Sequence, residues 1–127
     1  MIFRQLRDAE SSTYTYLLAC GATREAVLID PVREQIERDS LLLKELGLSL
    51  VWILETHVHA DHITSAWALR RRFGAKVAES DATRTEGVDV PLADGQTVRF
   101  GYYGLEARAT PGPVSYTHLT LPTNREV

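Results

Sequence analysis

Apolar residues fall along this chain in two alternating rhythms. Ile2 to Leu6 and Ser12 to Ala19 are strand-length, the second rich in Thr and Tyr, and a Gly21 turn separates it from a hairpin partner at Ala26 to Ile29. Asp30-Pro31 stops that strand. Val32, Ile36, Leu43 and Leu46 then recur at helical spacing until Gly47, placed for a left-handed C-terminal cap. Leu48 to Leu54 is a nearly unbroken apolar run, the pattern of a central strand covered on both faces. A polar loop from Glu55 to His62 leads to a second helix with Ile63, Ala66, Leu69 and Phe73 on one face, ending at Gly74. Lys76 to Ala78 is the next strand. Ser80 to Gly87 is polar and aperiodic, after which Val88 to Leu92, Thr97 to Phe100 and Leu105 to Ala109 form short strands broken by Asp94-Gly95 and Gly101 to Gly104. The pattern predicts an α/β layer running into a β-rich layer, without internal repeats. Trp52 and Trp67 are expected in the core.

Length and composition narrow the classes. The chain has 127 residues, 44% hydrophobic and 24% charged, which suits one globular domain. A net charge of -3 provides no broad basic surface, and Arg70-Arg71-Arg72 reads as a solvated helix face near a C-terminus. No nucleic-acid partner is expected. No apolar segment approaches the ~18 residues of a membrane span, and the N-terminus lacks the apolar core of a signal peptide. The single cysteine, Cys20, excludes an internal disulfide and a thiolate zinc cluster and is expected to be a buried structural thiol. Its presence fits a reducing compartment, and the expected location is cytoplasmic.

The chemistry concentrates in one loop. Three of the four histidines and one aspartate lie in His57-Val58-His59-Ala60-Asp61-His62. In an extended segment alternate side chains share a side, so His57, His59 and Asp61 can converge, while His62 turns toward a neighbouring point at the helix entrance. Imidazole nitrogen and carboxylate oxygen suit zinc, iron or manganese. The loop follows the C-terminal end of a buried strand, where α/β sheets present their sites.

At these residues the chain resembles the metallo-β-lactamase superfamily, whose H-x-H-x-D-H motif is matched by His57, His59, Asp61 and His62. Phe3-Arg4-Gln5-Leu6, Ser11 to Leu18, Ile29-Asp30-Pro31-Val32 and Thr56 to Thr64 look like its persulfide dioxygenase branch, a close relative of the glyoxalase II thioesterases. Glyoxalase II commonly carries a further His where Ala60 stands. The resemblance implies the N-terminal half of an αββα sandwich and a mononuclear ferrous enzyme, with zinc as the alternative metal, that oxidises glutathione persulfide with O2 to glutathione and sulfite. His57 would be the first iron ligand. The remaining family ligands are a His directly after a Thr-Pro-Gly turn and a later Asp. Here Thr110-Pro111-Gly112 is followed by Pro113, which has no metal-binding side chain.

The segment Pro113 to Asn124 resembles the translated end of a transposon-based sequencing adapter, so residues 1–112 are expected to be a partial metallo-β-lactamase domain and 113–127 a non-native tail. His118 is then incidental. On this expectation the second sheet is absent, the inner sheet face is exposed and the chain is inactive in this form. Two other readings stay open. In a glyoxalase II-like dinuclear hydrolase, His57 and His59 would hold one metal and Asp61 and His62 the other. In the third, the motif is a non-catalytic metal-binding relic.

Overall fold

The computed structural model describes residues 1–56, 60–80, 88–110 and 116–120; of 60–64, 80, 109–110 and 116–120 it describes the backbone alone. Strands β1 (Ile2–Asp8), β2 (Thr13–Ala19) and β3 (Glu25–Ile29) pair antiparallel in sequence. A single 3-10 turn, Arg33–Gln35, and helix α1 (Ile36–Glu45) lead to β4 (Ser49–Glu55), which lies parallel to β3. Helix α2 (Ala60–Phe73), β5 (Lys76–Ser80) and β6 (Val90–Leu92) complete a six-stranded sheet in the order β1-β2-β3-β4-β5-β6. Strands β7 (Thr97–Phe100), β8 (Tyr103–Thr110) and β9 (Tyr116–Thr120) form a second, antiparallel sheet.

Alternation along the strands sends apolar side chains to both faces of the first sheet. Leu17, Ala26, Leu28, Leu50, Ile53 and Val77 meet Leu43 of α1 and Ala66 and Leu69 of α2 in one core. Leu18, Val27, Ile29, Leu54 and Ala78 meet Val98, Phe100, Leu105 and Ala107 of the second sheet in another. One irregularity in β4 permits both. Ala26 is opposite Leu50 but Val27 is opposite Trp52, so Val51 is an extra residue, a bulge that shifts the phase of the strand.

The expected boundaries hold closely for β2 to β5 and β7. Helix α1 ends in the predicted cap: Gly47 has φ 65, its N–H donates to the Lys44 carbonyl (3.1 Å), and the Leu48 N–H donates to the Leu43 carbonyl (2.9 Å). Four expectations are corrected. The second sheet is present and covers much of the first sheet's inner face, because Val98, Phe100, Leu105 and Ala107 alternate inward. The segment at Val90–Leu92 pairs parallel with β5 and closes the first sheet instead of opening the second. Helix α2 starts at Ala60, so Asp61 and His62 belong to its first turn and not to the preceding loop. Trp67 is 39% exposed, since the buried face of α2 runs through Ser65, Ala66 and Leu69.

The sheets are fastened by polar links as well as by the core. Trp52 packs its ring on the inter-sheet core and donates from Nε1 to the Arg99 carbonyl (3.0 Å). The Gly101 N–H donates to Glu25 Oε1 (2.6 Å). Gly101 has φ 61, and a Cβ there would stand 2.5 Å from Cys20 Cβ and 2.7 Å from its Sγ, so this turn requires glycine. Cys20 is buried, as expected. The Thr23 hydroxyl, followed by the backbone N–H groups of Tyr102 and Thr23, draws its thiol down to about 7. The backbone of Tyr116–Thr120 pairs with β8, with His118 opposite Arg108.

Candidate metal centre

The parallel strands β3, β4 and β5 end at the same edge of the sheet, the place where an α/β architecture presents its chemistry. Just past β3, Asp30 takes φ 53, a left-handed conformation that Asp tolerates better than most residues. Its N–H donates to the Leu54 carbonyl (2.8 Å), and its carbonyl accepts from the buried Thr15 hydroxyl (2.9 Å). Thus held, the Asp30 carboxylate faces the end of β4. Oδ1 accepts from the Thr56 N–H at 2.8 Å, and Oδ2 accepts from the Thr56 hydroxyl. One aspartate fixes the residue immediately before His57.

Two further carboxyls stand behind it. Glu55 and Glu79 are register partners on β4 and β5, and alternation from Ile53 and Val77 places both on the helix side of the sheet. Both are buried. Burial, then the neighbouring Asp30 charge, a hydrogen bond to Asp30 and the Glu79 charge push Glu55 well above the usual carboxylate range. Asp30 remains the acceptor for both Thr56 donors. Three carboxyls, those of Asp30, Glu55 and Glu79, are thus buried together at this edge.

The proposed ligands follow Thr56 directly in sequence. His57 and His59 lie outside the described residues. Asp61 and His62 lie in the first turn of α2, and their side chains are also outside the description. Among the described residues, no group of three or more His, Cys, Asp or Glu side chains could hold a metal ion. Donor chemistry fits a metal of the implied kind: three imidazoles and a carboxylate follow directly on Thr56, which Asp30 fixes, and end in the first turn of a helix packed on the same sheet. Sequence reasoning missed Asp30, Thr56 and Glu55. In the sequence Asp30-Pro31 reads as a strand stop and Glu55 as the start of a loop.

The family model for the metallo-beta-lactamase superfamily matches residues 9–123. The mitochondrial persulfide dioxygenase ETHE1 of Mus musculus is 46% identical over 114 residues, covering 88% of this chain and 44% of that protein. A hydroxyacylglutathione hydrolase of Acidiphilium cryptum is 36% identical over 104 residues, covering 80% of this chain and 41% of that protein. Among solved structures, ETHE1 from Myxococcus xanthus superposes with a TM-score of 0.88 at 48% identity, over 95% of this chain and 54% of that one. The chain thus spans less than half the length of the curated relatives it matches.

Proposed function

Since this chain belongs to the metallo-beta-lactamase superfamily, we propose that it carries the metal-binding N-terminal part of a persulfide dioxygenase. The observation that carries this reading is the graded likeness: 46% identity over 88% of the chain to a persulfide dioxygenase, against 36% over 80% to a thioester hydrolase. The substrates would be glutathione persulfide and O2. The balanced reaction is GSSH + O2 + H2O giving GSH, sulfite and two protons, in which the outer sulfur loses four electrons and O2 gains them.

His57 would hold a ferrous ion, with His59, Asp61 and His62 close by, and the iron when bound supplies the one-electron chemistry that O2 requires. The chain's own contribution is placement. Asp30 fixes Thr56 and so fixes where the His57 backbone begins, in the manner of outer groups that orient metal ligands. In the family pattern a His would stand at 113, where this chain has Pro113. We infer that the family pattern is interrupted at Pro113. The buried, free Cys20 thiol supports a reducing, cytoplasmic setting.

The deciding experiment uses the gene read through codon 112 at its source locus and expressed whole. The expected protein contains one iron, consumes O2 with glutathione persulfide and forms sulfite, and His57→Ala removes iron and activity together. Two bound metals with efficient thioester hydrolysis and no persulfide-dependent O2 uptake would establish the hydrolase instead. A source locus that itself encodes Pro113 to Val127 and then stops would overturn the assignment of the tail.

A further inference from the structure

Strands β2 and β3 pair with Tyr16 opposite Ile29, so Thr15 and Asp30 would face each other next if both strands ran on. Thr15 does run on, opposite Leu6 of β1. Asp30 does not, because its φ of 53 takes it out of the ladder. Two effects oppose that turn. The left-handed region crowds the Cβ of an L-residue, and the ring of Pro31 pushes the residue before it toward extended backbone. The conformation therefore has to be held from outside. The Leu54 carbonyl at the end of β4 holds the Asp30 N–H (2.8 Å), and the Thr15 hydroxyl holds the Asp30 carbonyl (2.9 Å). Thr15 and Asp30 are both buried, so bulk water does not replace that donor.

We propose that Thr15 is a positioning residue for the metal loop, its hydroxyl holding the turn at Asp30 that aims the carboxylate at Thr56, directly before His57. The role rests on the proposed metal binding by His57. Hydrogen bonds run without a break along the ends of three strands: from the Thr15 hydroxyl of β2 to the Asp30 carbonyl after β3, and from the Thr56 N–H and hydroxyl after β4 to the Asp30 carboxylate. A fully buried strand position is served at least as well by valine, which has the shape of threonine and no hydroxyl to desolvate. The bond to Asp30 is what threonine adds. Without it the Asp30 backbone is free to relax toward the extended region, and that rotation carries the carboxylate off Thr56.

Amide hydrogen exchange, read residue by residue in the 127-residue chain, tests the hold on Asp30. In Thr15→Val the Asp30 and Thr56 amides should exchange at least about tenfold faster. The Cys20 amide, bonded to the Glu25 carbonyl at the other end of the same hairpin, should keep its rate. Thr15→Ser loses the methyl group, keeps the hydroxyl and should exchange like the parent. In the complete gene product, anaerobic competition with a chelator should show Fe2+ held about tenfold more weakly in Thr15→Val and as tightly as in the parent in Thr15→Ser. Unaltered Thr56 exchange in Thr15→Val, equal acceleration at Cys20, a serine variant that behaves like the valine one, or unchanged Fe2+ affinity overturns the proposal. A parent product that binds no Fe2+ overturns instead the metal reading beneath it, and the exchange rates still decide whether Thr15 holds Asp30.

Discussion

Two aspartates are buried on opposite terms in this molecule. Asp30, 6% exposed at the ends of β3 and β4, accepts through one carboxylate oxygen from the Thr56 N–H and through the other from the Thr56 hydroxyl. Asp39, 1% exposed on the inward face of α1, accepts from Arg38 Nε (3.0 Å) through Oδ1, while its buried Oδ2 has no hydrogen-bond partner. Burial pushes Asp39 up to about 6, against the pull of the Arg38 charge and hydrogen bond. The contrast separates a carboxylate the fold is organised around from one that the fold tolerates.

The sharpest way to break the contrast is Asp30→Ala. It strands the Thr56 N–H and hydroxyl donors, so urea unfolding should show a loss of about 4 kcal/mol, and metal retention by the adjacent loop should fall with it. A loss no larger than that of Asp39→Ala would erase the distinction. Thr56→Val removes only the hydroxyl donor and should cost about 2 kcal/mol, the range of a hydrogen bond to a charged group.

Asp39→Asn should act in the opposite direction. The folded protein holds the Asp39 proton up to about 6, whereas the unfolded chain releases it near 3.8. The native state therefore gains from this group below pH 3.8 and loses that gain as pH rises through about 6. At pH 8 the asparagine variant should be more stable by about 1 kcal/mol, after allowing for the partner that Arg38 loses, and the gap should close toward pH 3.8. Chemical unfolding at three pH values reads the sign directly. The smallest effect belongs to Glu37→Gln on the same helix. Its bond to Arg72 is at the surface with Glu37 84% exposed, so the change should stay below about 0.5 kcal/mol and shrink further in salt.

Legibility followed burial pattern and turn chemistry. The apolar run at Leu48 to Leu54 marked the central strand because both of its faces are covered, and Gly47 and Gly74 marked the helix ends because each takes a positive φ. The motif at His57 to His62 stood out through its residue types and its position directly after the apolar strand. What sequence could not show was partnership over distance. Asp30 and Thr56 are 26 residues apart, and only the parallel register of β3 and β4 brings them together. Glu55 resembled a loop residue because a carboxylate ordinarily ends a buried strand, but here it is buried beside Asp30 and Glu79, which pushes its pKa up. Trp67 was misplaced because periodicity counts aromatic rings as core, and small residues such as Ser65 and Ala66 already fill the contact of α2 with the sheet.

The bulge at Val51 has an effect on how this sequence tolerates insertion and deletion. Strand β4 is written in two phases, with Leu48 and Leu50 on the helix side before the extra residue and Ile53 and Glu55 on that same side after it. Removing Val51 would leave composition and hydropathy almost untouched, yet one half of the strand would have to turn over. Either the leucines would leave the helix core, or the Glu55 carboxyl would swing into the apolar layer between the sheets. The position is a comma in the strand's grammar: substitution there changes a side chain, whereas deletion changes the meaning of every residue on one side of it.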